Sequence, residues 1–588
     1  STPLTCRRQR QMCIRDSGLE AAGAVRHDLA GLGHDDVRVL VSSVLAGDVA
    51  DAGDLGDEVF SRSEGHSLFA VELIRDLRTG HERGALPDSV ATLVRSRLSR
   101  LPRGVASLVV AGAALGQDFD LTLAADAAGL ADDDALDAVE VAMAAELLHE
   151  VPDRPDWYRF SHQLVPAAAL DSVSTSRRVR LHARLADLLD DRDTSGIEVA
   201  HHLLEASPVL DARQVVERVM TTSAAALRDH QYDRAVELLE RAARLDVEPR
   251  TRAEVLARFS EACNLAGQQP RALEPLEQLA AMARSHGWDD LLAAAALGRW
   301  GQSPFRASRD RTVIPLLDEA IRRSASLERD TRARLLAKRA AFNLFSGPME
   351  ERDRLSAQAV EMVGAGVSYA RLEVLEARWM AIASPARLDA VVALDDELAV
   401  LRKSLGALTT DACAPEISVY WRALGDELRR LADELADDPR QRRDVDQWRT
   451  TALTGAFALF RCDLDEARRC ADRALPLSRA PWGEAGQVVH GLVHLLADVL
   501  DGGPSAATDR WARIAASVPS DAMRSTRAWA EAMWGDRELA AELGAPVVSR
   551  VDLLTGNFMG GFGLVALAET ALLLDRDDWY PQLIDALT

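Results

Sequence analysis

The chain has 588 residues, with 69 Lys and Arg against 92 Asp and Glu, and a formal net charge of −23 at pH 7. Hydrophobic residues make up 48% and charged residues 27%, which is typical of a folded globular protein and not of a disordered one. The acidic balance argues against nucleic acid or an anionic membrane as the main partner of this chain.

Length and composition favour a large helical protein. At roughly 100–200 residues per domain, the length predicts about three or more domains or one long repeat array. Aromatic residues make up only 5%, and Ala, Leu, Asp and Arg are abundant, a mixture that favours helix over sheet.

The two lysines, Lys338 and Lys403, bear on nucleotide chemistry. A phosphate-binding loop of the G-x-x-x-x-G-K-[ST] kind needs a Lys directly after a Gly. Ala337 and Arg402 precede the two lysines, so the sequence contains no such loop. We therefore predict that this chain is not an enzyme, and we assign no catalytic residue.

Cysteines and hydropathy indicate the compartment. The six cysteines include no C-x-x-C pair, which argues against a structural zinc site, and their scatter suits free thiols in a reducing compartment. The longest apolar run, Val105–Gly116, is too short to span a bilayer, and no segment is typical of a signal peptide. We expect a cytoplasmic protein without membrane contact.

Both ends suggest a fragment. Residues 1–17 show no helical or strand period, and the composition changes at Gly18, so we interpret them as a non-native, adapter-derived tail. The alternative is a native disordered basic tail. The final residues, Leu583–Thr588, lie inside an apolar helical pattern, so we expect the chain to be part of a longer protein.

The first elements occupy residues 18–85. Val25–Leu29 alternates as a strand does, and a helix follows with Val37 and Val41 on its apolar stripe. A second helix begins near Leu55. A Gly turn at Gly65 then opens the helix that contains Leu73.

The sequence pattern of residues 86–190 predicts several helices around a short β-hairpin. Leu147–Val151 and Trp157–Ser161 bracket a Pro/Asp turn, which is typical of two paired strands. A good helix start at Leu86–Ser89 leads to Leu101. The other predicted helices are Val105–Leu115, Leu121–Ala128, Asp132–Leu148, His162–Val173 and Ser176–Leu189. Together these elements predict a winged-helix domain with two trailing helices.

Residues 191–588 predict a helical repeat array. A pattern of small and apolar residues recurs at Ala235, Ala272 and Val313, with spacings of 37 and 41 residues, and returns most clearly at Asp463–Ala467. Tetratricopeptide repeats have a period of about 34 residues and pack paired helices closely through small residues. The alternative is an irregular bundle of Ala-rich helices, most strongly for residues 345–450.

Several motifs of the first 190 residues occur in a familiar order. They are Gly65–Leu73, Leu86–Val90 with Arg97–Pro102, Ala111–Gly116 with Phe119–Asp120, Tyr158–Val165 and Leu181–Ala186, and Glu198–Leu204 follows them. Together they resemble the C-terminal part of a STAND-type signal-transduction ATPase (AAA-like) module. Such modules occur in large ATP-binding, MalT-like regulators of the LuxR family and beside class III nucleotide cyclases.

The resemblance implies a mainly α fold with three parts. These are the remnant and helical lid of the ATPase domain (18–85), the winged-helix domain (86–190) and an α-solenoid of tetratricopeptide-like hairpins (191–588). It implies that the phosphate loop precedes Gly18 and is missing here. This chain would bind no cofactor, and ATP or ADP with Mg²⁺ would belong to the full-length parent.

The resemblance also implies nucleotide-facing residues. In the family the Gly65 turn lies near the adenine pocket, and here His66 and Ser67 replace the usual Asn and Pro. His162 occupies the position of a histidine that can face the phosphates. The alternative for His162 is a helix-capping role that holds the wing against the next helix.

Other groups of residues favour structural roles. His490 and His494 have the i,i+4 spacing of metal ligands, but no third ligand lies beside them in the sequence, so we predict no metal site. We interpret Gly556–Gly563 as a turn between repeats. Three tryptophans are expected to pack between hairpins: Trp511, Trp529 and Trp534.

Three functions remain open. The preferred one is the sensor part of a nucleotide-dependent, LuxR-type transcription regulator, whose repeats bind a protein or small-molecule signal and which self-associates on activation. The second is the sensor half of a class III adenylate or guanylate cyclase. The third is a tetratricopeptide-like protein-interaction scaffold. In each case this part of the protein would make no direct contact with nucleic acid.

Overall fold

The computed structural model divides the chain into two compact units, Ser1–Val215 and Val216–Thr588, which are described separately. The described residues are 32–45, 52–63, 65, 70–71, 73–74, 98–145, 147–192, 196–229, 231–299, 312–342, 348–384, 387–405, 444–478, 483–518, 520–555 and 560–587.

Some sequence predictions lie outside these residues. They are the tail 1–17, the strand Val25–Leu29, the motif residues His66 and Ser67, the helix start Leu86–Ser89, and the segment 556–559 of the glycine-rich stretch.

The described residues of the first unit form helices and one small sheet. Its described elements are α1 (His34–Leu45), α2 (Ala52–Ser63), α3 (Arg103–Leu115), β1 (Asp118–Asp120), α4 (Leu121–Ala128), α5 (Asp132–Ala144), β2 (Leu148–Glu150), β3 (Trp157–Phe160), α6 (Leu164–Asp171), α7 (Thr175–Asp191) and α8 (Gly196–Glu205). A short 3₁₀ turn, Ser207–Val209, leads to α9 (Ala212–Arg228), and the boundary between the two units follows Val215 in this helix.

The sheet has the strand order β1-β3-β2, and both outer strands are antiparallel to β3. Pairing of β2 with β3 confirms the predicted hairpin. The strand β1 was not predicted, because three residues are too short to show a period of two. The predicted helix from Asp132 to Leu148 is wrong at its end, since α5 stops at Ala144 and Leu148 pairs with Phe160 in the sheet.

The core of this unit joins the sheet to the helices around it. Phe119 of β1 and Phe160 of β3 are each 1% exposed, and their ring centroids lie 5.5 Å apart. They pack with apolar residues of α3, α4 and α5, including Leu108, Ala124 and Val139. A smaller core joins α1 and α2 to Leu164, the first residue of α6.

The second unit is built from successive helices. Beyond the end of α9 they are α10 (Tyr232–Ala242), α11 (Pro249–Leu265), α12 (Gln269–His286), α13 (Asp289–Gly298), α14 (Val313–Arg322), α15 (Arg329–Phe342), α16 (Met349–Val363), α17 (Tyr369–Ile382), α18 (Leu388–Leu405), α19 (Asp444–Phe460), α20 (Leu464–Leu477), α21 (Gly483–Asp501), α22 (Ala506–Ser517), α23 (Asp521–Trp534), α24 (Arg537–Val548), α25 (Asp552–Thr555), α26 (Gly560–Leu573) and α27 (Tyr580–Leu587). Helices next to each other in the chain pack together, as α11 does with α12 and α19 with α20.

Small residues lie at the contacts between these helices, as the repeat pattern predicts. Ala235, Ala272, Val313 and Ala467 are each 1% exposed or less. Short connections make neighbouring helices antiparallel, and a small side chain at the crossing lets the backbones approach closely. The described residues are therefore mainly helical, and from α9 onward they form successive helical hairpins.

Ion pairs join positions about one repeat apart. Arg250 contacts Asp290 at 3.1 Å and lies 40 residues before it. Arg284 contacts Glu319 at 2.7 Å over 35 residues. A third pair, between Arg334 and Glu373, spans 39 residues. We call these three contacts the inter-repeat pairs. Each is at least partly exposed and links one hairpin to the next.

Among the helices that the structure describes, none combines the length and the apolar character that crossing a bilayer requires.

Candidate functional site

The Gly65 turn holds the start of α1 next to the end of α2. The carbonyl oxygen of Gly65 accepts a 2.8 Å hydrogen bond from the backbone N–H of Leu32. Gly65 has φ +76°, and a Cβ at this position would lie 2.3 Å from the Leu32 oxygen. Glycine alone therefore fits this turn, and the backbone conformation explains why the motif begins with glycine.

His162 lies at the corner between β3 and α6 and is only 4% exposed. Its Nδ1 accepts a 3.1 Å hydrogen bond from the backbone N–H of Leu164, so this nitrogen carries no hydrogen. The hydrogen is then on Nε2, which donates to the carbonyl oxygen of Ser63 at 2.6 Å. The ring bonds the start of α6 with one nitrogen and the end of α2 with the other.

The neighbouring residue reinforces this contact. The side-chain amide of Gln163 donates to the carbonyl oxygen of Ser61. The last carbonyls of a helix have no partner within the helix, so His162 and Gln163 supply partners at the end of α2. We call His162, Gln163 and the α2 carbonyls of Ser61 and Ser63 the lid junction, after the helical lid that the family resemblance implies for residues 18–85.

The lid junction does not by itself form a nucleotide pocket. Both imidazole nitrogens of His162 are engaged by backbone groups, so a phosphate contact would have to replace one of these bonds. The sequence also has no Gly-Lys phosphate loop. The hydrogen bond from the Leu164 N–H fits the helix-capping alternative for His162, whereas the bond to Ser63 on α2 was not foreseen. A role toward nucleotide stays a prediction for His162, as it does for Gly65.

The motif Ala111–Gly116 with Phe119–Asp120 has a packing explanation. A Cβ on Gly112 would lie 2.7 Å from the ring of Phe119, so glycine makes room for the buried aromatic ring. The residue after Phe119 also has a structural role: the Asp120 carboxylate accepts a 2.8 Å hydrogen bond from the Leu123 N–H and caps α4. The motif therefore fixes how β1 passes between α3 and α4.

Another motif residue, His182 of α7, meets His202 of α8. Both are 4% exposed, and their Nδ1 atoms lie 2.8 Å apart. Burial, followed by the nearby His182 and His201, lowers the pKa of His202 to about 3. His202 is therefore uncharged at neutral pH, and in this contact one ring donates a hydrogen bond and the other accepts it.

Three side chains come together where α20 and α21 pack. His490 and His494 of α21 direct their Nε2 atoms at Oδ1 of Asp472 on α20, at 2.9 and 3.1 Å. Burial lowers the pKa of His490 despite the hydrogen bond to Asp472, and His494 and Arg510 lower it further. We call Asp472, His490 and His494 the α20–α21 cluster.

The sequence did not reveal Asp472 as a partner of these histidines. It lies 18 residues before His490 on the preceding helix, and nothing in its local pattern distinguishes it from other exposed acidic residues. Only the packing of α20 on α21 brings it to the pair.

The tryptophans lie where packing was expected. Trp511 is fully buried, and Trp529 is 7% exposed, in one apolar core with residues of α21 to α23 and α26. Trp534 packs partly buried against the same core.

No family model and no curated protein matches the chain. Solved structures give weak likenesses. A STAND protein with a tetratricopeptide repeat sensor from Pyrococcus horikoshii is 11% identical, with a TM-score of 0.25, over 82% of this chain and 72% of that one. The Cut9–Hcn1 hetero-tetramer of the APC/C is 13% identical, with a TM-score of 0.40, over 72% and 85%. Yeast Tom70 is 12% identical, with a TM-score of 0.30, over 70% and 99%. Values this low identify no family.

Proposed function

We propose that this chain is the sensor and regulatory part of a nucleotide-dependent STAND signalling protein, and specifically of a LuxR-type transcription regulator. The lid junction is the observation that supports this most directly. It ties α2, in the predicted lid, to the corner that leads from the sheet into α6. To hold an ATPase in a resting state, a contact of this kind is needed between its lid and the domain that follows the lid.

The strength of the lid junction suits a switch. A neutral hydrogen bond contributes about 0.5–1.5 kcal/mol, so the two side-chain bonds to α2 are together worth a few kcal/mol at most. Allosteric coupling free energies are typically about 1–3 kcal/mol. A signal that binds the repeats with this much preference for an open state could release such a contact.

The hairpins supply the proposed sensing surface. Stacked helical hairpins present extended surfaces to proteins or small ligands, and each hairpin contacts mainly its neighbours. In this proposal the repeats bind the signal, the released protein self-associates, and DNA contact belongs to a separate output domain of a cytoplasmic protein. The ATPase core, with ATP and Mg²⁺, would lie upstream.

Two alternatives use the same residues differently. A cyclase domain upstream would make the parent an enzyme of cyclic-nucleotide synthesis. A scaffold would use the hairpins to bind partner proteins without any nucleotide. Reading the coding DNA on both sides separates the three: a helix-turn-helix downstream supports the regulator, a cyclase core upstream supports the enzyme, and a short complete gene supports the scaffold.

The purified chain offers a direct biochemical test. Since it has no phosphate loop, we expect no ATP turnover above the level of a buffer blank. The same assay on a longer protein that includes the upstream core should show nucleotide-dependent activity. ATP hydrolysis by the present chain would contradict the proposal that the ATPase core lies outside it.

A further inference from the structure

The α20–α21 cluster brings two imidazoles and one carboxylate together. His490 is 3% exposed and His494 is 8% exposed, whereas the Asp472 side chain is 64% exposed. The two imidazole rings lie with centroids 4.5 Å apart, one helical turn from each other on α21. Their three ligand atoms lie within 4.8 Å of one another.

The spacing of these atoms is close to that of a metal site. Zinc binds imidazole nitrogen and carboxylate oxygen at about 2.0–2.2 Å, so neighbouring ligand atoms of a tetrahedral site lie about 3.3–3.6 Å apart. The carboxylate oxygen already lies 2.9 and 3.1 Å from the two Nε2 atoms. A shift of a few tenths of an ångström at the exposed Asp472 side chain would bring both of these distances to the tetrahedral value.

We propose that Asp472, His490 and His494 bind a divalent transition-metal ion, with Zn²⁺ the best match. Two imidazoles and one carboxylate leave a fourth position for water, as in zinc sites with three protein ligands. The i,i+4 spacing on one helix face is a recurrent way to present two imidazoles to one ion. Imidazole and carboxylate together suit Zn²⁺ better than Mg²⁺ or Ca²⁺, which prefer oxygen ligands.

Binding changes the tautomers but needs no net proton loss. In the metal-free form each Nε2–H can donate to the shared carboxylate oxygen. In the bound form each hydrogen moves to Nδ1, and the Nε2 lone pairs face the ion. The charge of the carboxylate offsets part of that of the ion.

The bound ion would link α20 to α21. It would replace two hydrogen bonds by coordination bonds between the last turns of α20 and the middle of α21, and so stiffen this part of the helical array. This inference stands apart from the proposed signalling function, since it concerns residues of the hairpins alone.

The test uses Co²⁺ as a visible probe on the full 588-residue chain after treatment with a chelator. We expect one equivalent to bind with the absorption of a four-coordinate site. Asp472→Asn, at an exposed position, should weaken Co²⁺ binding by at least about tenfold. Loss of a residue that only hydrogen-bonds a metal ligand already lowers metal affinity by about tenfold or more, and Asp472 would itself be a ligand. His494→Asn should weaken it similarly.

Asp465→Asn is the matched control, since Asp465 is exposed on the same helix and outside the cluster. It should bind Co²⁺ as the unaltered chain does. Circular dichroism of each variant separates loss of the ligand from loss of the fold. Zn²⁺ should also slow amide exchange in Leu464–Leu477 and Gly483–Asp501 relative to Thr175–Asp191.

Two results would overturn the proposal. One is the absence of saturable Co²⁺ binding by the unaltered chain. The other is equal affinity in the unaltered chain, folded Asp472→Asn and folded His494→Asn, which would place the ion elsewhere, for example among the histidines of α7 and α8.

Discussion

The Nδ1 atom of His182 lies 2.8 Å from the Nδ1 atom of His202, and both side chains are buried. Two imidazoles can share one hydrogen in this geometry only if at most one of the two Nδ1 atoms is protonated. Protonation of both rings would place two positive charges in contact inside the protein. The pair therefore makes the packing of α7 on α8 sensitive to acid.

His202 should cost the first unit stability as the pH falls. Its pKa is about 3 in the folded state against 6.5 for an ordinary histidine, so the unfolded chain binds more protons between these values. Stability is therefore fully present above about pH 6.5 and falls by up to about 1.4 kcal/mol per pH unit below it. Amide exchange of Thr175–Asp191, measured at pH values from neutral to mildly acid and corrected for intrinsic rates, should show this slope.

His202→Gln should reduce that slope, because glutamine can still donate or accept a hydrogen bond but does not titrate. His201→Gln is the control, since His201 is the adjacent residue but is exposed. It should leave most of the slope in place. The same slope in all three proteins would contradict the assignment of acid sensitivity to the buried pair.

Gly112→Ala should destabilise the first unit by about 1–3 kcal/mol, the usual cost of overpacking. The added Cβ would lie 2.7 Å from the ring of Phe119, which is 1% exposed and cannot move into solvent. Gly104→Ala on the same helix meets only Leu130 at 3.5 Å. That change should be neutral or stabilising by up to about 1 kcal/mol, because alanine has the higher helix propensity. Urea denaturation followed by circular dichroism measures both, and equal effects would refute the packing explanation.

Arg402→Leu should cost the second unit about 3–5 kcal/mol. The Arg402 guanidinium contacts the Glu376 carboxylate at 3.1 Å between α18 and α17, where the two side chains are 9% and 2% exposed. Removing the cation leaves a buried carboxylate without this partner. The double variant Arg402→Leu/Glu376→Leu should recover much of the loss, since an apolar pair can replace a buried ion pair.

The control for this pair is Arg234→Leu. Arg234 and Glu237 form an ion pair on α10 with side chains 66% and 64% exposed. Such a surface pair should contribute less than about 1 kcal/mol. Thermal denaturation of the four proteins gives the comparison, and a double variant as unstable as Arg402→Leu would contradict the role assigned to Glu376.

His162→Ala should loosen the lid junction. It removes the 2.6 Å bond to the Ser63 carbonyl and the 3.1 Å bond from the Leu164 N–H. Local opening of Ala52–Ser63 should become easier by about 1–3 kcal/mol, which hydrogen exchange measures as faster exchange of that helix.

The matched control for this experiment is His149→Ala, since His149 is exposed on β2. It should leave exchange of Ala52–Ser63 unchanged. The helix Asp132–Ala144 is the internal reference, so that global destabilisation is recognised if both helices exchange faster. Unchanged exchange in His162→Ala would contradict the assigned contact.

The sequence predicted helices well where a full apolar stripe or a strong start signal was present. The helix Leu121–Ala128 has the bounds that the sequence predicted, and the Asp120 carboxylate caps it as an acidic residue at a helix start should. The hairpin was also predicted, because Pro and Asp mark the turn between its two strands. The small residues of the repeats are buried as their pattern required.

Contacts between distant segments could not be read from the sequence. Asp118–Asp120 becomes a strand only because β3 offers it an edge, and its three residues show no period of their own. Asp472 joins His490 because two helices pack side by side, and sequence spacing does not encode that approach. The candidate sites were thus predicted as single residues, while their partners came from tertiary packing.

The inter-repeat pairs add an electrostatic contribution to the contacts between hairpins of the second unit. Arg250 and Arg284 each contact a carboxylate of a following hairpin, and both contacts are partly exposed to solvent. Dissolved ions weaken such contacts. We therefore expect the salt concentration to affect how firmly these hairpins are held to their neighbours, while the buried contacts between them are largely independent of salt.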